Sequence, residues 1–161
     1  MTSGKESSCG VLIVVGGPHY DGLREAIRRA NAEAPWRAIT GKVTDASGAP
    51  VAGAFVHELG ADGKYASRTE TAADGTYTVH APPDAAVTLV PHKRGYPLGA
   101  GTSVPAGTGT QDLAFAPHAL LHITAHETAT NELMPARIHV IPTTPLPSTP
   151  RTYGLEDESD G

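Results

Sequence analysis

His118, His122 and His126 stand four residues apart. On a helix that spacing would place the imidazoles on one face, where two of them can chelate a zinc ion. Their neighbours argue for a different backbone. Ala119, Leu121, Ile123 and Ala125 alternate along the segment, so its period is two and it reads as a strand with histidines on its polar face. Residues four apart on a strand are about 13 Å apart, whereas zinc–imidazole bonds are about 2 Å long. His126-Glu127 also lacks the second histidine of an H-E-x-x-H helix. His139, on the next expected strand, is the next histidine along the chain. The segment is read as a solvated strand face, with no metal site.

Gly16-Gly17-Pro18-His19-Tyr20-Asp21-Gly22 lies between an apolar run and a helix-like pattern. Backbone N–H groups at such a turn can cradle an anion. The stretch follows neither G-x-G-x-x-G nor the P-loop, which supplies a lysine, so it reads as a plain strand-to-helix turn. His92-Lys93-Arg94 is a stronger candidate, because Tyr96 follows within a loop rich in glycine and proline over 94–109. Cations beside an aromatic ring suit a sugar or an acidic peptide, and long loops on rigid scaffolds commonly carry binding. His92, Lys93, Arg94 and Tyr96 are therefore the expected ligand-binding residues. Serine, histidine and aspartate are otherwise scattered, and no G-x-S-x-G elbow occurs. No catalytic residue and no cofactor is expected.

Composition narrows the classes further. The formal net charge of -5 argues against a nucleic-acid partner, which needs a basic footprint. Cys9 is the single cysteine, which rules out an internal disulfide and a cysteine-built zinc site. The apolar run Val11–Val15 is too short to span a membrane and lacks the basic start of a secretory leader. The expectation is therefore no membrane partner and a cytoplasmic location by default.

These candidates need elements to hold them. Residues 1–10 read as disordered, 11–17 as one buried strand, and 21–34 as a helix capped by Asp21 and stopped by Pro35. Leu23, Ala26, Ile27 and Ala30 share a face of that helix. From residue 37 the period changes to two. Ile39, Gly41 and Val43 share one strand face; Val51–Leu59 follows, with Ala54 and Val56 on one side and Phe55 and His57 on the other. Tyr65–Thr71, Tyr77–Ala81, Val87–Pro91 and Leu113–Phe115 complete six strands, punctuated by Asp62-Gly63 and Asp74-Gly75 turns. Glycine and proline, 18 and 14 residues, fit many short strands joined by tight turns. Short strands separated by turns at this spacing are the signature of a mainly β sandwich or barrel, here preceded by a short N-terminal strand-helix segment.

Gly41, Val43 and Asp45 on the first strand, Gly48 and Pro50 in the turn after it, Gly53, Ala54 and Val56 on the second strand, and Thr71, Asp74, Gly75 and Tyr77 in the next hairpin form a set of motifs. With them this stretch resembles the carboxypeptidase regulatory-like domains, and the fold class that the resemblance implies is mainly β, an Ig-like or prealbumin-like antiparallel β-sandwich. The resemblance covers about 37–116 and implies a fold, not an activity. Other sandwich families fit less well. The hydroxyisourate hydrolases end in Tyr-Arg-Gly-Ser, which is missing. The intradiol dioxygenases need two tyrosines and a His-x-His pair around iron, and no His-x-His occurs. Cna-type adhesin domains join a first-strand lysine to a last-strand asparagine; Lys42 is available, but the asparagines are Asn31 and Asn131.

A second copy of the pattern begins downstream at an offset of 82, with Ala136 answering Ala54 and His139 answering His57. Residues 117–141 are thus expected to start a second, truncated repeat, and 142–161 to be a disordered acidic and proline-rich tail. Pro135–Ile138 is similar to the segment preceding the catalytic domain of some PHP-type metallohydrolases. The organisation implied is 11–36, 37–116 and 117–141 within a longer multidomain protein. Its expected role is that of a non-catalytic accessory module, with an adjacent domain of the same protein, a hydrolase, as partner. The alternative is a carbohydrate- or peptide-binding module using the 92–109 loop.

Overall fold

The computed structural model describes residues 11–119, 121–141, 143 and 153. The tail expected over 142–161 lies outside them except at 143 and 153, as does the expected disordered segment 1–10. One helix, α1 (His19–Ala30), precedes seven strands: β1 (Arg37–Thr44), β2 (Phe55–Leu59), β3 (Tyr65–Glu70), β4 (Thr76–Ala81), β5 (Val87–His92), β6 (Thr102–Val104) and β7 (Leu113–Ala114). They form a three-stranded sheet, β4-β1-β7, and a four-stranded sheet, β3-β2-β5-β6.

The period-two pattern decides which side chains meet between the sheets. Ile39 and Val43 of β1 sit opposite Val56, Leu89 and Val104 of the other sheet, with Val79, Leu113 and Phe115 completing the core. In the β1–β4 ladder Ile39 pairs with Val79 and Gly41 with Tyr77. The bare Gly41 is required there: a Cβ would fall 1.8 Å from the carbonyl oxygen of Gln111. The Tyr77 hydroxyl of β4 donates to that same carbonyl at 2.5 Å, tying the last loop to β4 across the bare Gly41 of β1. Thr71 pins the entrance to β2, its hydroxyl donating to Val51 O at 2.7 Å and accepting from the Ala54 amide at 2.8 Å. Asp74 accepts from the Thr76 amide at 3.0 Å and sets the β3–β4 turn, where Gly75 has φ +79°.

Several features depart from the sequence reading. The 94–109 loop contains a strand, β6, paired antiparallel to β5. The last strand, β7, runs parallel to β1, while the other ladders are antiparallel. Residues 11–17 form no strand, and Val11, Leu12, Ile13 and Val15 are exposed. They have no neighbouring strand among the described residues, and an apolar run cannot make a strand without one. Pro18, not Asp21, occupies the N-cap, without a side-chain bond, because α1 begins two residues earlier than Asp21.

Beyond β7, the described residues of 117–141 carry a single bridge, His126 with Leu133, closed by the Glu127 amide to Glu132 O. His118, His122 and His126 lie in no named strand. No helix of the described residues is long and apolar enough to cross a membrane.

Candidate functional site

β3 and β4 are the outermost strands of their sheets, and α1 packs against both. An open sheet edge leaves backbone groups without partners, and here a side chain of the helix supplies one. Asp21 is buried and gathers three bonds: from the His80 amide at 3.0 Å, from His80 Nδ1 at 2.7 Å, and from the Ser67 hydroxyl at 3.1 Å. Charge-assisted bonds of this kind are strong. Ser67 donates to Asp21 rather than to His80, so the three residues form a structural clamp and not a nucleophile relay.

The rest of that helix face is also charged. Glu25 receives Arg28 through two parallel bonds of 2.7 and 2.6 Å, with Arg29 at 2.9 Å. The Arg28 guanidinium holds the Glu25 carboxyl down at about 2. Arg28 also donates to Glu33 O and Ala34 O and so closes the helix C-terminus. Arg24 donates to Glu58 at 3.0 Å and lies over the Trp36 ring. Burial pushes the Glu58 carboxyl up against the pull of Arg24.

The helix therefore buries its polar side. Asp21, Glu25 and Arg28 are covered, while Tyr20, Leu23 and Ile27 are 47%, 38% and 44% exposed. At the helix start an open cleft of about 840 Å³ is bordered by His19, Asp21, Lys42, Glu70, Tyr77 and His80. Among the described residues no group of three or more His, Cys, Asp or Glu could hold a metal ion.

A second polar cluster lies on the outer face of the four-stranded sheet. His57 points away from the core, yet it is fully buried. Tyr153 covers it, with ring centroids 4.0 Å apart and planes 8° from parallel. Tyr65 and His92 flank the pair, and the Tyr65 hydroxyl stands 3.5 Å from His57 Nδ1. Arg68 donates to the Tyr153 carbonyl at 3.1 Å while its guanidinium lies over Phe55. Burial first, then the nearby His92 and Arg68, lowers His57 to about 3, so the imidazole is neutral.

The ligand-binding residues expected from sequence diverge. His92 joins the His57 cluster. Lys93 donates to the Ala52 carbonyl. Arg94 is exposed. Tyr96 packs on Phe115 at 4.5 Å and on His118 at 4.8 Å. Sequence reasoning missed Ser67 and His80, whose only signal was a polar residue on each of two neighbouring edge strands. It also missed Tyr153, an isolated aromatic in a stretch without period.

With this architecture in place, the comparison with protein families is direct. The model of the carboxypeptidase regulatory-like domain matches residues 38–118. The chain belongs to that family. Its regulatory-like domain thus coincides with β1–β7, and the matched motif residues are those that set its turns and its close Gly41 approach. No curated protein sequence matches the chain. Among solved structures, the shaft pilin SpaA from Lactobacillus rhamnosus GG is similar with a TM-score of 0.46 and 17% identity over 56% of this chain and 48% of that one. The 3-chlorocatechol 1,2-dioxygenase from Rhodococcus opacus 1CP gives 0.37 and 14% over 48% and 58%. The chain spans about half the length of the shaft pilin it matches.

Proposed function

We propose that this regulatory-like domain is a non-catalytic accessory module that packs against, spaces or stabilises an adjacent domain of the same protein, a hydrolase. The observation that carries the reading is the reversed helix. α1 turns Tyr20, Leu23 and Ile27 outward and spends its charged side on the sandwich. The exposed run 11–15 belongs to the same region, since Gly16 and Gly17 approach the backbone of Leu23 and Gly22. Scattered exposed apolar residues need no explanation, but an entire apolar helix face beside an apolar run does. Full burial of a Leu or Ile side chain contributes about 1.5–3 kcal/mol, and Leu23 and Ile27 are already more than half covered, so a neighbour covering both gains about 1–2 kcal/mol from them. Residues 117–141 fit the same reading as the start of a second repeat, whose Leu121, Leu133 and Val140 are exposed here.

The test is the double substitution L23D/I27D, made in this chain and in the protein with its flanking domains. The chain alone should keep its melting temperature, and the larger protein should lose several degrees. Unchanged melting in both rejects the reading. Carbohydrate or peptide binding through the 92–109 loop has less to stand on, because Tyr96 is engaged with Phe115 and Lys93 with Ala52. Glycan titration of the wild-type chain and of Tyr96→Ala separates the two: a saturable response lost in the variant supports the loop.

A further inference from the structure

We propose that the outer face of β2, β3 and β5 is a receptor for a tyrosyl residue carried on a peptide, and that this chain fills it with its own Tyr153. Three observations converge on it. Tyr153 is 5% exposed although it lies 39 positions beyond Ala114, the last residue of β7, and makes no part of the core between the sheets. Its ring is gripped from several sides: His57 stacks beneath it, with Tyr65 and His92 tilted at its edges. Its backbone is read as well, by the Arg68 guanidinium at the Tyr153 carbonyl. Ring and carbonyl together are what a site for a peptide residue must recognise; a site for a free aromatic molecule would have no use for the second contact.

The receptor is assembled from residues that the core does not need. Phe55, His57 and Arg68 stand on the sheet face opposite Val56 and Thr69. Phe55 holds the Arg68 guanidinium over its ring at 5.0 Å, which orients the donor before the peptide arrives. His57 Nε2 has no hydrogen-bond partner among the described residues and is buried.

The experiment uses the full chain, followed by NMR of the His57 ring and the Arg68 side chain. Tyr153→Ala should expose His57 and raise its titration midpoint by at least about one unit, a tenfold change in proton affinity. Tyr153→Phe, which keeps the ring, should leave the midpoint near that of the wild type. A synthetic peptide of residues 149–157 should then bind the Tyr153→Ala chain saturably, with shifts at His57, Tyr65 and Arg68. The same peptide with alanine for tyrosine should do nothing. The wild-type chain should respond at least tenfold more weakly, because a tethered tail competes at an effective concentration of about millimolar. Arg68→Ala in the Tyr153→Ala background should weaken the peptide further. Coincident His57 titrations in wild type and Tyr153→Ala overturn the proposal, and so does a flat peptide response. Neither result bears on the L23D/I27D melting test, so the two readings can fail separately.

Discussion

His57 shows how a single residue reports on its surroundings. Its pKa falls from the ordinary 6.5 to about 3, chiefly through burial. A histidine depressed on folding contributes stability that is fully present above pH 6.5 and is lost as the pH falls through the folded value. Urea midpoints of the chain should therefore drop between about pH 6.5 and 3, by on the order of a few kcal/mol in stability. His57→Phe should flatten that slope while keeping the stack on Tyr153. Gly41 is a second sharp test. Gly41→Ala drives a methyl group into the Gln111 carbonyl and should cost about 1–3 kcal/mol or more in a urea titration, as overpacking does. Gly41 was legible as a motif residue, and the structure supplies the reason: β1 runs directly beneath the last loop. His92 was legible as a candidate because it sits in a cation run. Its actual neighbours, His57 and Tyr153, were not, because they approach from 35 residues upstream and 61 downstream.

Among the elements, the strands were the most readable and the helix the least. Alternation specified which side of each strand faces the core, since a one-residue slip of β1 would turn Ile39 and Val43 out to solvent together. Helical periodicity likewise located an amphipathic α1, but it cannot say which side the fold will use. That choice was made by β3 and β4, which present Ser67 and the His80 amide to Asp21. Asp21→Ala should leave the His80 amide, the His80 ring nitrogen and the Ser67 hydroxyl without this partner and cost about 1–3 kcal/mol, with faster amide exchange confined to α1 and the β4 edge. Acid should act on the same contact. Glu25 is held at about 2, below its ordinary 4.5, so its contribution is present above pH 4.5 and lost as the pH falls toward 2. Helix signals in the circular dichroism spectrum should fade over that window, ahead of the strands. The strand expected over 11–17 failed for a related reason: an apolar run signals burial but does not provide the partner that buries it.

The whole molecule is a sandwich whose interior is complete and whose flanks are not. Val43, Val56, Leu89 and Phe115 close the core without help, while Val11, Leu12, Ile13 and Val15, the outer side of α1 and the large apolar residues of 121–141 remain uncovered. The family and its layers could be read from the turns and from alternation. The orientation of the helix and the seating of Tyr153 could not, because both depend on contacts between segments far apart in the chain. The apolar side of α1 carries the account of this domain as a partner to its neighbour, and hydroxyl-radical footprinting reads it directly. Tyr20, Leu23 and Ile27 should label readily in this chain alone and become protected several-fold when the flanking domains are present. Equal labelling of the three side chains in both forms would contradict the account.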